Sequence, residues 1–223
     1  MHSCPVHAIG QHEKDTLSGD VLSAFPVPLE EHIFFCGFAT AATFGASSYL
    51  IVRPGGNVLV DMPRFYPRLI QGLEKLGGVK YIFLTHSDDI AGHEEFARHF
   101  NAERIIHTAE RDSAPMEIRI EGSEPVQFAT DLRIIPTPGH TRGSMCLLFD
   151  GALFTGDHLA AGRAGGLTSF RNACWYSWAE LKKSNERLLN FDFSRVYPGH
   201  GRRYFSEASA TTQRDLLRLI SES

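Results

Sequence analysis

The chain has 223 residues, enough for one large domain. A chain of that size buries roughly 70–75% of its unfolded surface, so it needs neither a disulfide nor a metal merely to fold. A hydrophobic share of 43% with 22% charged residues excludes disorder, and 22 Lys and Arg against 26 Asp and Glu, a net charge of −4 with no basic run, argue against a nucleic-acid partner.

In chain order, residues 1–24 are polar and unpatterned and stand apart from a domain over residues 25–223. Apolar, β-favouring segments follow at Ile33–Phe38, Ser48–Val52 and Asn57–Asp61, the last two split by Pro54-Gly55-Gly56 and expected to pair as a hairpin. Pro67 opens a helix with Leu69, Ile70, Leu73 and Leu76 on its apolar face, and Gly77-Gly78 ends it. Lys80–Thr85 is predicted as a strand running into His86, Ala91–Phe100 as a helix and Arg104–His107 as a strand. Leu132–Pro136, Met145–Phe149 and Ala152–Thr155 read as three more strands, with Asp150-Gly151 turning between the last two. Ser177 and Glu180 have capping-box spacing and open a helix through Leu189. Arg195–Tyr197 is the final predicted strand, and a C-terminal helix should turn Leu216, Leu217 and Ile220 inward. Strands first, then helices and strands in alternation, imply two sheets with helices outside, a mixed α/β domain.

The longest nearly apolar run, residues 33–42, is too short to span a bilayer, and the first residues lack the pattern of a signal peptide. Cys4, Cys36, Cys146 and Cys174 lie far apart without a Cys-x-x-Cys pair. The expected location is the reducing cytoplasm, with no membrane partner.

Four segments share one grammar: a strand, a metal-type side chain, then a glycine or turn. They are Phe83-Leu84-Thr85-His86-Ser87-Asp88-Asp89, Thr137-Pro138-Gly139-His140-Thr141, Phe154-Thr155-Gly156-Asp157-His158 and Tyr197-Pro198-Gly199-His200-Gly201. Strand ends hold side chains rigidly, and imidazole with carboxylate is the ligand set of hydrolytic zinc, iron and manganese centres. One such segment is weak evidence, because Gly-His in a turn is common. Four in one chain are not.

On these residues the chain resembles the metallo-β-lactamase superfamily. Thr137–Ser144, reading Thr-Pro-Gly-His-Thr-Arg-Gly-Ser, is the most specific match, and Leu153–Asp157 and Pro198–Gly201 follow in the family's order. The resemblance covers roughly residues 30–205. It implies a single-domain, four-layer αββα sandwich with one or two divalent metal ions at a sheet edge. By the same resemblance His86 and His140 are ligands, Asp157 is the carboxylate shared by two metals, and His200 serves the second metal. Asp61, closing Val58-Leu59-Val60-Asp61, supports the site from beside it or simply caps a turn.

The first motif departs from the family's His-x-His-x-Asp-His. Asp88 stands where a second His belongs, and Ile90 and Ala91 take the places of the usual Asp and His. Either Asp89 and His93 reach the metals through a rearranged loop, or one metal position is weakened. Against those roles, Asp88 or Asp89 could be the N-cap of the next helix, and His93 shares a face with Phe96, Ala97 and Phe100 and could be an ordinary packed histidine. An added carboxylate hardens the site, which tempers a first preference for zinc toward iron or manganese. His158 reads as a residue supporting the site or lying on the surface. Trp175, Tyr176 and Trp178 read as pocket wall, core or lid, and Arg163, Arg171, Arg202 and Arg203 flank the expected mouth. Cys4-Pro5 is like the closing part of a ferredoxin cluster motif, but residues 1–30 hold only that cysteine.

The expected activity is therefore metal-dependent hydrolysis of a small ester, thioester or related substrate, with Asp88 or Asp89 handling the proton of the attacking water. An iron-dependent redox enzyme of the same fold and a non-catalytic binding protein with a decayed metal site are the alternatives.

Overall fold

The computed structural model describes residues 24–110 and 116–222, which form two compact units. The polar segment at the start, with Cys4, lies almost wholly outside the described residues. The first unit holds residues up to Leu84, then Asp88–Ile105 and the segment ending at Ile118; the rest belongs to the second.

In the first unit, strands β1 (Val27–Pro28), β2 (Ile33–Phe35), β3 (Tyr49–Ile51) and β4 (Val58–Val60) form an antiparallel meander. The predicted hairpin is present, with Ile51 opposite Val58 and Gly56 at φ +104°. Asn57 holds the turn: its side-chain oxygen accepts from Arg53 N–H, and its amide donates to the Leu76 and Gly78 carbonyls. Helix α1 (Pro67–Lys75) leads to β5 (Tyr81–Phe83), parallel to β4, and α2 (His93–Phe100) leads to β6 (Glu103–His107), parallel to β5. Leu50, Leu59, Ile82, Leu69, Leu73 and Phe96 are fully buried, and each removes about 1.5–3 kcal/mol worth of apolar surface from water. α2 starts two residues later than expected because Gly92 takes a left-handed φ of +90° as its N-cap. No side chain caps it, so neither Asp88 nor Asp89 has the N-cap role. Both lie in a separate 3-10 turn, Ser87–Asp89.

The second sheet has the order β15-β14-β11-β10-β9-β8, from β8 (Val126–Ala129), β9 (Leu132–Pro136), β10 (Met145–Phe149), β11 (Ala152–Gly156), β14 (Arg195–Pro198) and β15 (Tyr204–Phe205). The short pair β12 (Ala160–Ala161) and β13 (Leu167–Thr168) forms a ribbon of its own, and β7 (Ile118–Ile120) ends the first sheet. Asp150 and Gly151 both take positive φ, as the tight turn between β10 and β11 requires. Ile135, Cys146, Leu153, Val196, Leu188 of α3 (Trp178–Leu188) and Leu216 of α4 (Ser209–Glu222) make its core. The Ser177 hydroxyl accepts from Glu180 N–H, so the predicted cap is formed. Leu217 is 54% exposed, against expectation: beside the fully buried Leu216 it falls on the outer face of α4.

Candidate metal centre

Strand direction decides where the second unit's polar residues gather. β9 and β11 are both antiparallel to β10, so they run the same way, and β14 is parallel to β11. The C-terminal ends of β9, β11 and β14 therefore share one edge. Thr137–His140, Asp157 and Gly199-His200 leave from it, and Gly199 N–H donates to the Gly156 carbonyl. Thr85, preceding His86, accepts from Met145 N–H through its carbonyl.

Three imidazole Nε2 atoms, of His86, His140 and His200, converge on Oδ2 of Asp157 at 4.0, 3.6 and 3.9 Å. All three are too long for hydrogen bonds. They match the spacing of ligands around one ion, since two tetrahedral ligands each about 2.1 Å from a metal lie about 3.4 Å apart. The His86 and His140 rings are 4.6 Å apart, edge to face, and His140 is buried. Its Nδ1 faces the Ala173 carbonyl, which can only accept, so Nδ1 carries the proton and Nε2 presents a lone pair to the cluster. His86 Nδ1 meets the Thr85 hydroxyl at 2.9 Å, leaving Nε2 directed to the same place. The donor set fits a divalent cation.

Two glycines let the backbone close around the cluster. A Cβ at Gly139 would come within 2.5 Å of Leu181 Cα, and one at Gly156 (φ +50°) would strike the Thr85 hydroxyl that meets His86. The loop after β9 closes on itself, with Thr137 N–H donating to the Ser144 carbonyl and Thr141 N–H to its hydroxyl.

Glu110 is a residue that sequence reasoning missed. It is 7% exposed and accepts from Ser87 N–H at 3.1 Å, from Gly143 N–H at 2.9 Å and from the Thr141 hydroxyl. One carboxylate thus ties the loop after His86 to the loop after His140. No motif carried a signal for it. His158 is buried, not on the surface, and burial lowers its pKa to about 4.

Of the remaining predicted residues, Asp61, Asp88, Asp89 and His93 belong to the first unit. Asp61 is buried at φ +53°, and Asp89 is buried in its 3-10 turn. His93 is buried on α2, its Nδ1 accepting from the Arg104 guanidinium at 3.1 Å. Desolvation, then the Arg104 charge, lower its pKa. Arg104 is itself paired bidentately with Glu117.

A strand-edge cluster of histidines around one aspartate is the candidate centre of a metal-binding α/β protein. The chain belongs to the metallo-β-lactamase superfamily, whose family model matches residues 32–217. It is 32% identical over 161 residues to a hydroxyacylglutathione hydrolase of Rhodopseudomonas palustris, covering 68% of this chain and 61% of that protein. It is 31% identical over 147 residues to a probable polyketide biosynthesis zinc-dependent hydrolase of Bacillus velezensis, covering 61% of this chain and 62% of that protein. The chain thus spans about three fifths of the length of these two relatives. A metallo-β-lactamase structure from Erythrobacter litoralis aligns at TM-score 0.67 with 18% identity, over 88% of this chain and 95% of that one, and shows the shared α/β fold. Among the described residues no helix is long and apolar enough to cross a membrane.

Proposed function

We propose that the chain is a metal-dependent hydrolase acting on a small ester, thioester or related acyl substrate. The observation that carries this reading is the convergence of three imidazole nitrogens on a single carboxylate oxygen at 3.6–4.0 Å. His86, His140, Asp157 and His200 would hold the ion, with Asp88, Asp89 and His93 as the additional candidates from the first unit. When bound, a divalent cation supplies Lewis acidity that brings a water toward ionisation near neutral pH and polarises the substrate carbonyl. The protein's part is to orient. Ala173 fixes the His140 tautomer, Thr85 steadies His86, and Glu110 locks the two loops that carry them. In the reaction the water oxygen bonds to the acyl carbon, the carbon–oxygen or carbon–sulfur bond breaks, and the leaving group takes a proton. Asp88 or Asp89 is the proposed carrier of that proton.

Similarity to two curated hydrolases supports this class over the redox and binding alternatives. Zinc is the first choice of metal, with iron or manganese as alternatives because Asp88 brings a hard oxygen donor. The reading assigns a small-molecule substrate, no nucleic-acid partner, and a reducing cytoplasmic setting consistent with the free thiols of Cys36, Cys146 and Cys174. Residues 25–223 are proposed as the functional domain. Elemental analysis of the purified chain, joined to hydrolysis assays on ester and thioester panels, tests it. One or two metal equivalents with metal-dependent turnover is the expected outcome. Stoichiometric iron with oxygen consumption and no hydrolysis would replace it with the redox reading.

A further inference from the structure

Next to the imidazole cluster the second unit opens a cleft of about 410 Å³, in the size range of small-molecule sites. Ser87, Glu110, Thr141, Arg142, Trp175 and Tyr176 line it. Ser87 follows His86, and Thr141 and Arg142 follow His140. The backbone N–H groups of Trp175 and Tyr176 donate to the His140 carbonyl at 2.9 and 3.0 Å, and the Trp175 ring stands 6.4 Å from the His140 ring. Whatever sits in the cleft therefore lies against the His140 side of the cluster.

The walls differ in what they offer. Trp175 is 69% exposed and Tyr176 48%, so two large aromatic faces stand in water that a flat or apolar group would displace. Glu110 is committed to three protein donors and is not available to a ligand. Arg142 is exposed and is the one cation among the lining residues. A guanidinium fits a carboxylate or phosphate bidentately. On a chain of net charge −4 an anionic substrate needs such a local cation to be drawn in. Arg171, one of the arginines expected to flank the mouth, lies with its guanidinium 5.8 Å over the Trp178 ring.

We infer that this cleft selects an anionic acyl substrate, its planar or apolar body against Trp175 and Tyr176 and its carboxylate or phosphate group on Arg142. This rests on the hydrolase reading above and narrows its substrate class. The test uses the metal-loaded full chain with phenyl thioesters of succinic acid, 3-phosphonopropionic acid and butyric acid. At least one anionic thioester should exceed the butyryl one in kcat/KM by about tenfold or more, and which one does so identifies the anion. Arg142→Ala should bring that ratio near one, mainly through KM, with Arg142→Lys between the two. Metal content measured on each variant separates this loss from damage to the imidazole cluster. No anionic preference in the parent, or a preference that survives Arg142→Ala, overturns the inference. If none of the thioesters turns over, the hydrolase reading fails and the cleft is decided by binding. Saturable quenching of Trp175 fluorescence by succinate or 3-phosphonopropionate, lost in Arg142→Ala and in Trp175→Phe, supports the anion site, and no such signal overturns it.

Discussion

Asp157 places one carboxylate oxygen within 3.6–4.0 Å of three imidazoles. Its worth to the site lies in its charge, so Asp157→Asn, which keeps the shape, should lower metal affinity by about 100-fold and remove at least one metal equivalent. Competition titration measures this, and unchanged stoichiometry would sink the shared-carboxylate role. Glu110 calls for a different substitution logic. Glu110→Gln retains one acceptor oxygen but turns an NH2 group toward N–H donors, so either Ser87 or Gly143 loses its partner. The expected cost is about 1–3 kcal/mol of stability with a metal affinity about tenfold weaker, read by thermal denaturation and the same titration. The two residues also mark what was legible in the chain. Asp157 sits in a Thr-Gly-Asp string at a strand end, whereas Glu110 lies between motifs and gains its role only when the His86 and His140 loops are brought to it.

At the scale of elements, long periodic segments were readable. The hairpin at Pro54-Gly55-Gly56, helix α1 with its Gly77-Gly78 stop, and the run β9–β11 form as the pattern predicts. Two-residue strands such as β1, β12 and β13 carry too few residues for any periodicity to register, and they exist through pairing alone. The first motif was hardest to read, because its turn is set by Gly92 at positive φ and not by capping from Asp88 or Asp89. Between β6 and β7, Arg104 holds Glu117 through its backbone N–H, Nε and Nη2, and the hydrogen bonds depress the Glu117 carboxyl to about 2. A carboxylate with a folded pKa below its unfolded value of 4.5 contributes stability above pH 4.5, and that contribution is lost as pH falls toward about 2. With a side chain 40% exposed, solvent screening reduces it to about 1 kcal/mol. Glu117→Gln should be less stable than the parent at pH 7 by that amount and should converge on it near pH 2. Parallel acid-denaturation curves would remove the pair from the account.

For the whole molecule, the question is how much of the fold's stability depends on the centre. The general core does not: Leu50, Leu59, Leu153 and Val196 are fully buried apolar side chains, and the chain is long enough to fold on apolar burial. The cluster itself is another matter, because a carboxylate whose side chain is only 12% exposed, set among histidines, is costly to desolvate unless a cation compensates it. A metal that binds the folded chain and not the unfolded one stabilises it by mass action, about 2.7 kcal/mol at a free concentration 100 times Kd. For a chain of this length that corresponds to a Tm higher by about 5–10 °C. Chelation should therefore lower Tm by that amount, and zinc, iron(II) or manganese added back should restore it in proportion to affinity, which ranks the metals without any assay of turnover. Asp157→Asn should respond weakly to both treatments, since it already lacks the charge the cation neutralises. If the parent and this variant melted alike with and without chelator, the strand-edge histidines would be packing residues, and the hydrolase reading would lose the observation on which it rests.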